Sequence, residues 1–161
     1  MDKIQVLKPK YRTEEILKEI QECLDTSWTG MGGKAIEFEE KWRDYADFEH
    51  AHFLQSATAG LHLALKVFKE KYDWEDGDEI ITSPLTFVST NHAIMYENLK
   101  PVFADVDDSL CLDPESVLSN ITDKTRAVMF VGIGGNIGQY QKIREICDLQ
   151  NIPLILDAAH L

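Results

Sequence analysis

The run Ser56-Ala57-Thr58-Ala59-Gly60 joins small side chains to two hydroxyls, between the apolar stretch Ala51 to Leu54 and a helical pattern beginning near Leu61. It predicts a strand-to-helix turn. The first N–H groups of a helix lack intrahelical acceptors and carry the positive end of the dipole, so such a turn can hold an anion, phosphate above all. Ala57, Ala59 and Gly60 would let an oxygen-rich ligand reach the backbone, and Ser56 and Thr58 add donors. An ordinary N-cap by Ser56 or Thr58 explains the same residues. A second candidate lies near the other end of the chain, where Pro153 to Leu156 predicts a buried strand ending in Asp157, followed by Ala158-Ala159-His160. A carboxylate there is costly unless a cation or a hydrogen-bond donor meets it. It could pair with a protonated heterocycle nitrogen, or it could cap the following turn. His160 is open in the same way between a structural role and a ligand-binding one, and no metal spacing links it to His50, His52, His62 or His92.

A rival motif is Gly132-Ile133-Gly134-Gly135-Asn136-Ile137-Gly138, which follows one predicted strand and precedes a helix, with Asp157 at the end of the next strand. A nicotinamide-dinucleotide-binding domain would place glycines and an acid in this order. The third glycine, however, comes one place late, and each glycine of that fingerprint has a steric role fixed by position. A glycine-rich strand-to-helix turn accounts for the segment more simply.

The elements that would position these residues follow from periodicity. A first helix is expected after Thr13 as N-cap, with Ile16, Ile20, Cys23 and Leu24 on one face. After the glycine-rich loop Ser27 to Gly33, a second helix carries Ile36, Phe38, Trp42 and Tyr45, a stripe expected to be core. Leu61, Leu65 and Phe68 pattern a third helix, and Gly77 marks a turn. Short apolar strands and helices then alternate: Ile80 to Thr82, Thr86 to Tyr96, Val102 to Val106, Asp113 to Asn120, Ala127 to Val131, a helix with Ile143, Ile146 and Leu149, and Pro153 to Leu156. This alternation predicts an α/β fold, a three-layer α/β/α arrangement with a mostly parallel sheet covered on both faces. Ligands gather at the carboxyl ends of such strands, and Thr58, Thr86 and Asp157 are all placed just after strands. No repeat or linker breaks the run, so residues 1–161 read as a single domain.

The 161 residues suffice for a sizeable core, and a hydrophobic content of 44% fits a globular chain. Acidic residues outnumber basic ones 28 to 16, for a net charge of -12, which argues against non-specific binding to nucleic acid or an anionic membrane. Met1 to Lys10 lacks the apolar core of a signal peptide and no run approaches transmembrane length, so a cytoplasmic location is expected. Cys23, Cys111 and Cys147 are scattered and odd in number, which suggests reduced thiols rather than a disulfide framework or a zinc ribbon.

Three stretches in order, Ser56 to Leu65, Gly77 to Thr90 and Asp157 to His160, resemble the DegT/DnrJ/EryC1/StrS family of nucleotide-sugar aminotransferases that depend on pyridoxal 5'-phosphate (PLP). Gly30 to Phe38 and Pro101 to Val106 extend the likeness over nearly the whole chain. The resemblance implies the large domain of the aspartate-aminotransferase fold (fold type I), here truncated to its N-terminal portion. It implies that Thr58 and Ala59 hold the cofactor phosphate and that Phe87 stacks on the pyridine ring, although Phe87 could instead be core. It further implies that Asp157 pairs with the ring nitrogen and that His160 lies near the 3-oxygen. The resemblance implies as substrates a keto-sugar nucleotide and an amino donor, expected to be glutamate, and as assembly a homodimer. The family's Schiff-base lysine and small domain are expected beyond Leu161, so this chain alone is expected to lack a catalytic residue and not to transaminate. A dehydratase of the same family, a non-catalytic PLP-fold protein and the dinucleotide-binding domain are the alternatives.

Overall fold

The hydrophobic repeat from Glu79 onward forms a four-stranded, all-parallel sheet in the order β2-β1-β3-β4. Its strands are β1 (Glu79–Thr82), β2 (Lys100–Phe103), β3 (Thr125–Val131) and β4 (Leu154–Asp157). The computed structural model describes residues 8–28 and 30–161, so the reading of the N-terminal segment as lacking a signal peptide lies mostly outside the described residues, as does Thr29 of the glycine-rich loop. The described chain falls into two units, one ending at Phe53 and one comprising Leu54–Leu161.

The second unit contains the sheet and four helices, α3 (Ala57–Lys71), α4 (Val88–Tyr96), α5 (Pro114–Ser119) and α6 (Tyr140–Gln150). Side chains alternate across each strand, and the two faces build two separate cores. Ile80, Ala127, Met129 and Ile155 pack on one face with Leu61 and Leu65 of α3 and Ala93 and Ile94 of α4. Ile81, Val128 and Phe130 pack on the other with Val117 of α5 and Ile143 and Cys147 of α6. The expected three-layer α/β/α arrangement is therefore observed. Asp113 caps α5 by accepting the Glu115 N–H at 3.1 Å, with Pro114 in the first turn, as its sequence implies. Gly77 adopts φ +86°, which supplies the turn into β1.

Several expectations fail locally. Ala51 to Leu54 forms no strand; the Phe53 N–H is taken by the Glu39 carboxylate at 2.8 Å instead of a ladder. Thr58 consequently does not follow a strand. The helix expected from Thr86 begins at Val88, leaving Thr86 and Phe87 in the turn before it, and Val106 makes only an isolated antiparallel bridge to Leu112. Leu149, part of the helical pattern, is exposed, the buried residues of α6 being Ile143 and Cys147.

The first unit contains α1 (Thr13–Asp25) and α2 (Gly33–Ala46), tied by Lys34, which bridges Glu19 and Glu22. Arg12, not Thr13, occupies the N-cap position of α1, and it makes no side-chain cap bond. The α2 stripe expected to be core, Ile36, Phe38, Trp42 and Tyr45, is exposed, as are Ile16, Ile20 and Leu24 on α1. The aromatics contact one another, Phe38 stacking on Trp42 and meeting Phe53 edge-on. Among the described residues no helix is long and apolar enough to cross a membrane.

Candidate functional site

The carboxyl edge of the sheet is where the hydroxyls and the buried acid meet. Asp157 closes β4 and is 6% exposed. Its Oδ1 accepts the Ala159 N–H at 3.2 Å, and its Oδ2 accepts the Thr90 hydroxyl at 2.7 Å. The turn-capping role foreseen for Asp157 is thus present, yet it uses only one oxygen. No ion pair reaches Asp157 among the described residues, and its two partners there, a hydroxyl and an amide, are neutral. Thr90 lies on the buried side of α4, and its oxygen also contacts the Thr86 hydroxyl at 2.8 Å.

These bonds join the start of α4 to the end of β4, which brings Phe87 to the same edge. Phe87 is 72% exposed, which overturns the alternative that it is core. The reason is local: Phe87 sits at the N-cap position in extended backbone, outside the helical turn whose inner face points at Leu61 and Leu65. Asn91 fastens this turn to β1, accepting the Thr82 hydroxyl at 2.9 Å and donating to the Ser83 carbonyl at 3.2 Å.

Helix α3 packs on α4 through Leu61 and Leu65, and its N-terminus is the second candidate. Ser56 is a true cap, its Oγ accepting the Ala59 N–H at 3.2 Å, and the Gly60 N–H bonds the Ser56 carbonyl at 3.1 Å. The Ala57 and Thr58 N–H groups have no acceptor among the described residues, so two donors at the positive end of the dipole remain available beside the Thr58 hydroxyl. The cap and the anion-binding readings therefore coexist rather than compete.

His160 follows in the turn after β4, where its Nδ1 accepts the Gly134 N–H at 3.1 Å. An accepting Nδ1 places the proton of the neutral ring on Nε2, which makes that nitrogen a donor. The glycine-rich segment has packing reasons of its own. A Cβ on Gly132 would lie 2.5 Å from Leu161, and one on Gly138 would lie 2.6 Å from both Cys111 Cβ and Ser109 Oγ. Gly134, Gly135 and Gly138 all have positive φ. A short 3-10 turn over Ile133–Gly135 intervenes and α6 starts only at Tyr140, so Gly132 to Gly138 does not open the helix as a dinucleotide fingerprint would.

Thr90, Asn91 and Thr82 were not singled out by sequence reasoning. The spacing of Thr86 and Thr90, four residues apart in a helical pattern, was the available signal, since it puts two hydroxyls on one face.

The spore coat polysaccharide biosynthesis protein SpsC of Bacillus subtilis (strain 168) is 36% identical to the chain over 148 residues, covering 91% of the chain and 37% of SpsC. The structure of DesI in the presence of its TDP-sugar product aligns with a TM-score of 0.81 at 33% identity, over 94% of the chain and 38% of DesI. That of NtdA from Bacillus subtilis with bound cofactor PMP aligns with a TM-score of 0.85 at 25% identity, over 91% of the chain and 33% of NtdA. The chain thus spans well under half the length of these relatives. The model of the DegT/DnrJ/EryC1/StrS aminotransferase family matches residues 10–161, and the chain belongs to that family.

Proposed function

We propose that this chain forms the N-terminal, cofactor-cradling portion of a PLP-binding large domain, in an enzyme that transfers an amino group from glutamate to a keto-sugar nucleotide. The family match runs through both units of the chain, which supports treating residues 1–161 as one domain. The observation that carries the cofactor reading is Asp157, a buried carboxylate that receives two hydrogen bonds and no cation. A protonated ring nitrogen is the group such a site lacks. The free N–H groups at Ala57 and Thr58 and the small side chain of Ala59 fit a phosphate; exposed Phe87 offers a flat face to a ring; the Nε2 donor of His160 suits the 3-oxygen.

Bound PLP supplies an electron-withdrawing ring, a property that depends on protonation of its nitrogen. Asp157 would keep that proton in place, Thr58 and Ala59 would anchor the phosphate, and Phe87 and His160 would fix the ring's tilt. None of these five residues is a primary amine, so an amine that would hold PLP covalently must come from outside them.

Titration of the chain with PLP and, separately, NADH tests the reading. Reversible PLP binding that NADH does not compete with is expected; NADH binding without PLP binding would return the assignment to Gly132 to Gly138. For the protein that carries this chain, glutamate-dependent amination of a keto-sugar nucleotide is expected, and a deoxy-sugar product without an amine would point to the dehydratase. Homodimerisation is supported by the exposed apolar faces of α1 and α2. Light scattering that finds only a folded monomer at micromolar concentration would refute it. The unpaired thiols of Cys111 and Cys147 support a reducing, cytoplasmic location.

A further inference from the structure

We infer that Thr90 is a positioning residue for Asp157, the inner link of a two-hydroxyl relay that aims the carboxylate without setting a cation against it. The inference rests on the reading of Asp157 as partner of the cofactor ring. Thr90 is fully buried, and its one hydroxyl proton is committed to Asp157 Oδ2 at 2.7 Å. Its oxygen must therefore accept from Thr86, 2.8 Å away, and the relay runs Thr86 to Thr90 to Asp157. The opposite direction would need a proton on the carboxyl group. Asp157 Oδ1 is meanwhile an acceptor for Ala159 N–H, a role open to either oxygen of an ionised carboxylate.

The choice of a hydroxyl is the informative part. An Arg or Lys at position 90 would hold the carboxylate equally well but neutralise it, and a neutralised acid gives a ring nitrogen little reason to stay protonated. Two threonine hydroxyls supply direction without charge. The carboxylate has about four lone-pair sites; the protein takes two, and the remainder are available to a ring N–H. The relay is also held from outside, because Asn91, the next residue along, fixes the helix to the end of β1 through Thr82 and Ser83. Rotation of the Thr90 side chain would break its bonds to both Asp157 and Thr86.

The test uses PLP labelled with 15N at the ring nitrogen, bound to the wild-type chain and to Thr90→Val, Thr90→Ser and Asp157→Asn. Thr90→Val keeps the shape and removes the donor. It is expected to weaken PLP binding about threefold to tenfold and to move the ring-nitrogen resonance toward that of an unprotonated pyridine, with Thr90→Ser restoring both. A purely structural threonine would not move the resonance. Wild-type affinity and resonance in Thr90→Val would overturn the inference. If Asp157→Asn shifts both readouts and Thr90→Val neither, Thr90 alone is wrongly assigned. If Asp157→Asn also changes nothing, or the wild type binds no PLP, the cofactor reading falls and this inference with it. Should circular dichroism show Thr90→Val unfolded, Thr86→Val carries the test: smaller shifts in the same direction support the relay, and unchanged readouts refute it.

Discussion

Asp78 and Asp157 are equally buried, at 5% and 6% exposure, and stand at opposite edges of one sheet, yet they are held in opposite ways. At the amino edge, Arg126 Nε lies 2.7 Å from Asp78 Oδ2, and the Glu75 N–H donates to the same oxygen at 2.9 Å. Beside it, Glu79 takes Lys100 at 2.9 Å and the Thr122 hydroxyl at 2.7 Å. At the carboxyl edge, Asp157 takes a hydroxyl and an amide. A carboxylate that already has its cation is part of the scaffold. One that is buried and supplied with neutral donors alone still has acceptor sites for a cationic donor, and on the proposed reading that difference, more than burial, separates Asp78 from Asp157.

The sharpest way to break this comparison is to neutralise each acid in turn. Asp157→Asn should weaken PLP binding on the order of tenfold to a hundredfold, the loss of one hydrogen bond to a charged group, while thermal stability holds or rises. Asp78→Asn should lower stability and leave PLP affinity alone. Calorimetric melts and PLP titrations on both variants read the result, and loss of binding in both would erase the distinction.

Removing the cation instead of the acid should have a smaller, purely structural effect. Arg126→Met leaves Asp78 buried with one amide donor, and about 2 kcal/mol of stability should be lost in denaturant melts. The same pair sets an acid limb. Burial pushes the Asp78 carboxyl up, but the hydrogen bonds from Arg126 and the Glu75 amide outweigh it and hold it below the ordinary value. Hydrogen bonds from Thr122 and then Lys100 do the same for Glu79. Folded values depressed in this way stabilise the protein fully above the ordinary values of 3.8 and 4.5 and lose that stabilisation as pH falls through the lower folded values. Stability measured from pH 6 downward should therefore decline below about 4, and less steeply in Arg126→Met. The smallest effect belongs to the helix cap: Ser56→Ala should cost about 1 kcal/mol and leave the free N–H groups of Ala57 and Thr58 in place, with PLP affinity little changed.

How much of this was legible follows from which physics each residue obeys. The short apolar runs Ile80 to Thr82 and Ala127 to Val131 and the Asp113-Pro114 start of α5 are local signals, and each falls in the expected strand or helix. The Asp157 position was legible because an acid ending an apolar run is costly wherever it occurs. Thr90 was not, since a threonine within a helical pattern is unremarkable until a strand 67 residues away supplies its acceptor. Phe53 misled for a related reason: an apolar run looks like a strand until a side chain, here that of Glu39, claims its backbone N–H. The α1 and α2 stripes show the limit of periodicity, which marks an apolar face without saying what covers it.

The strand order carries a consequence for how the molecule assembles. Ile80 pairs with Pro101 and Val128 with Leu154, each across a single helical connection, whereas Ile80 meets Ala127 only after β2 and α5 have intervened. The middle seam closes the longest loop and bears the largest entropic cost, so it is expected to form after the two outer pairs. Pulsed hydrogen exchange during refolding should find the β1–β3 amides protected last. Until that seam closes, the two half-sheets offer each other, and any other copy nearby, apolar strands with unpaired edges, and the yield of folded protein should fall as the refolding concentration rises.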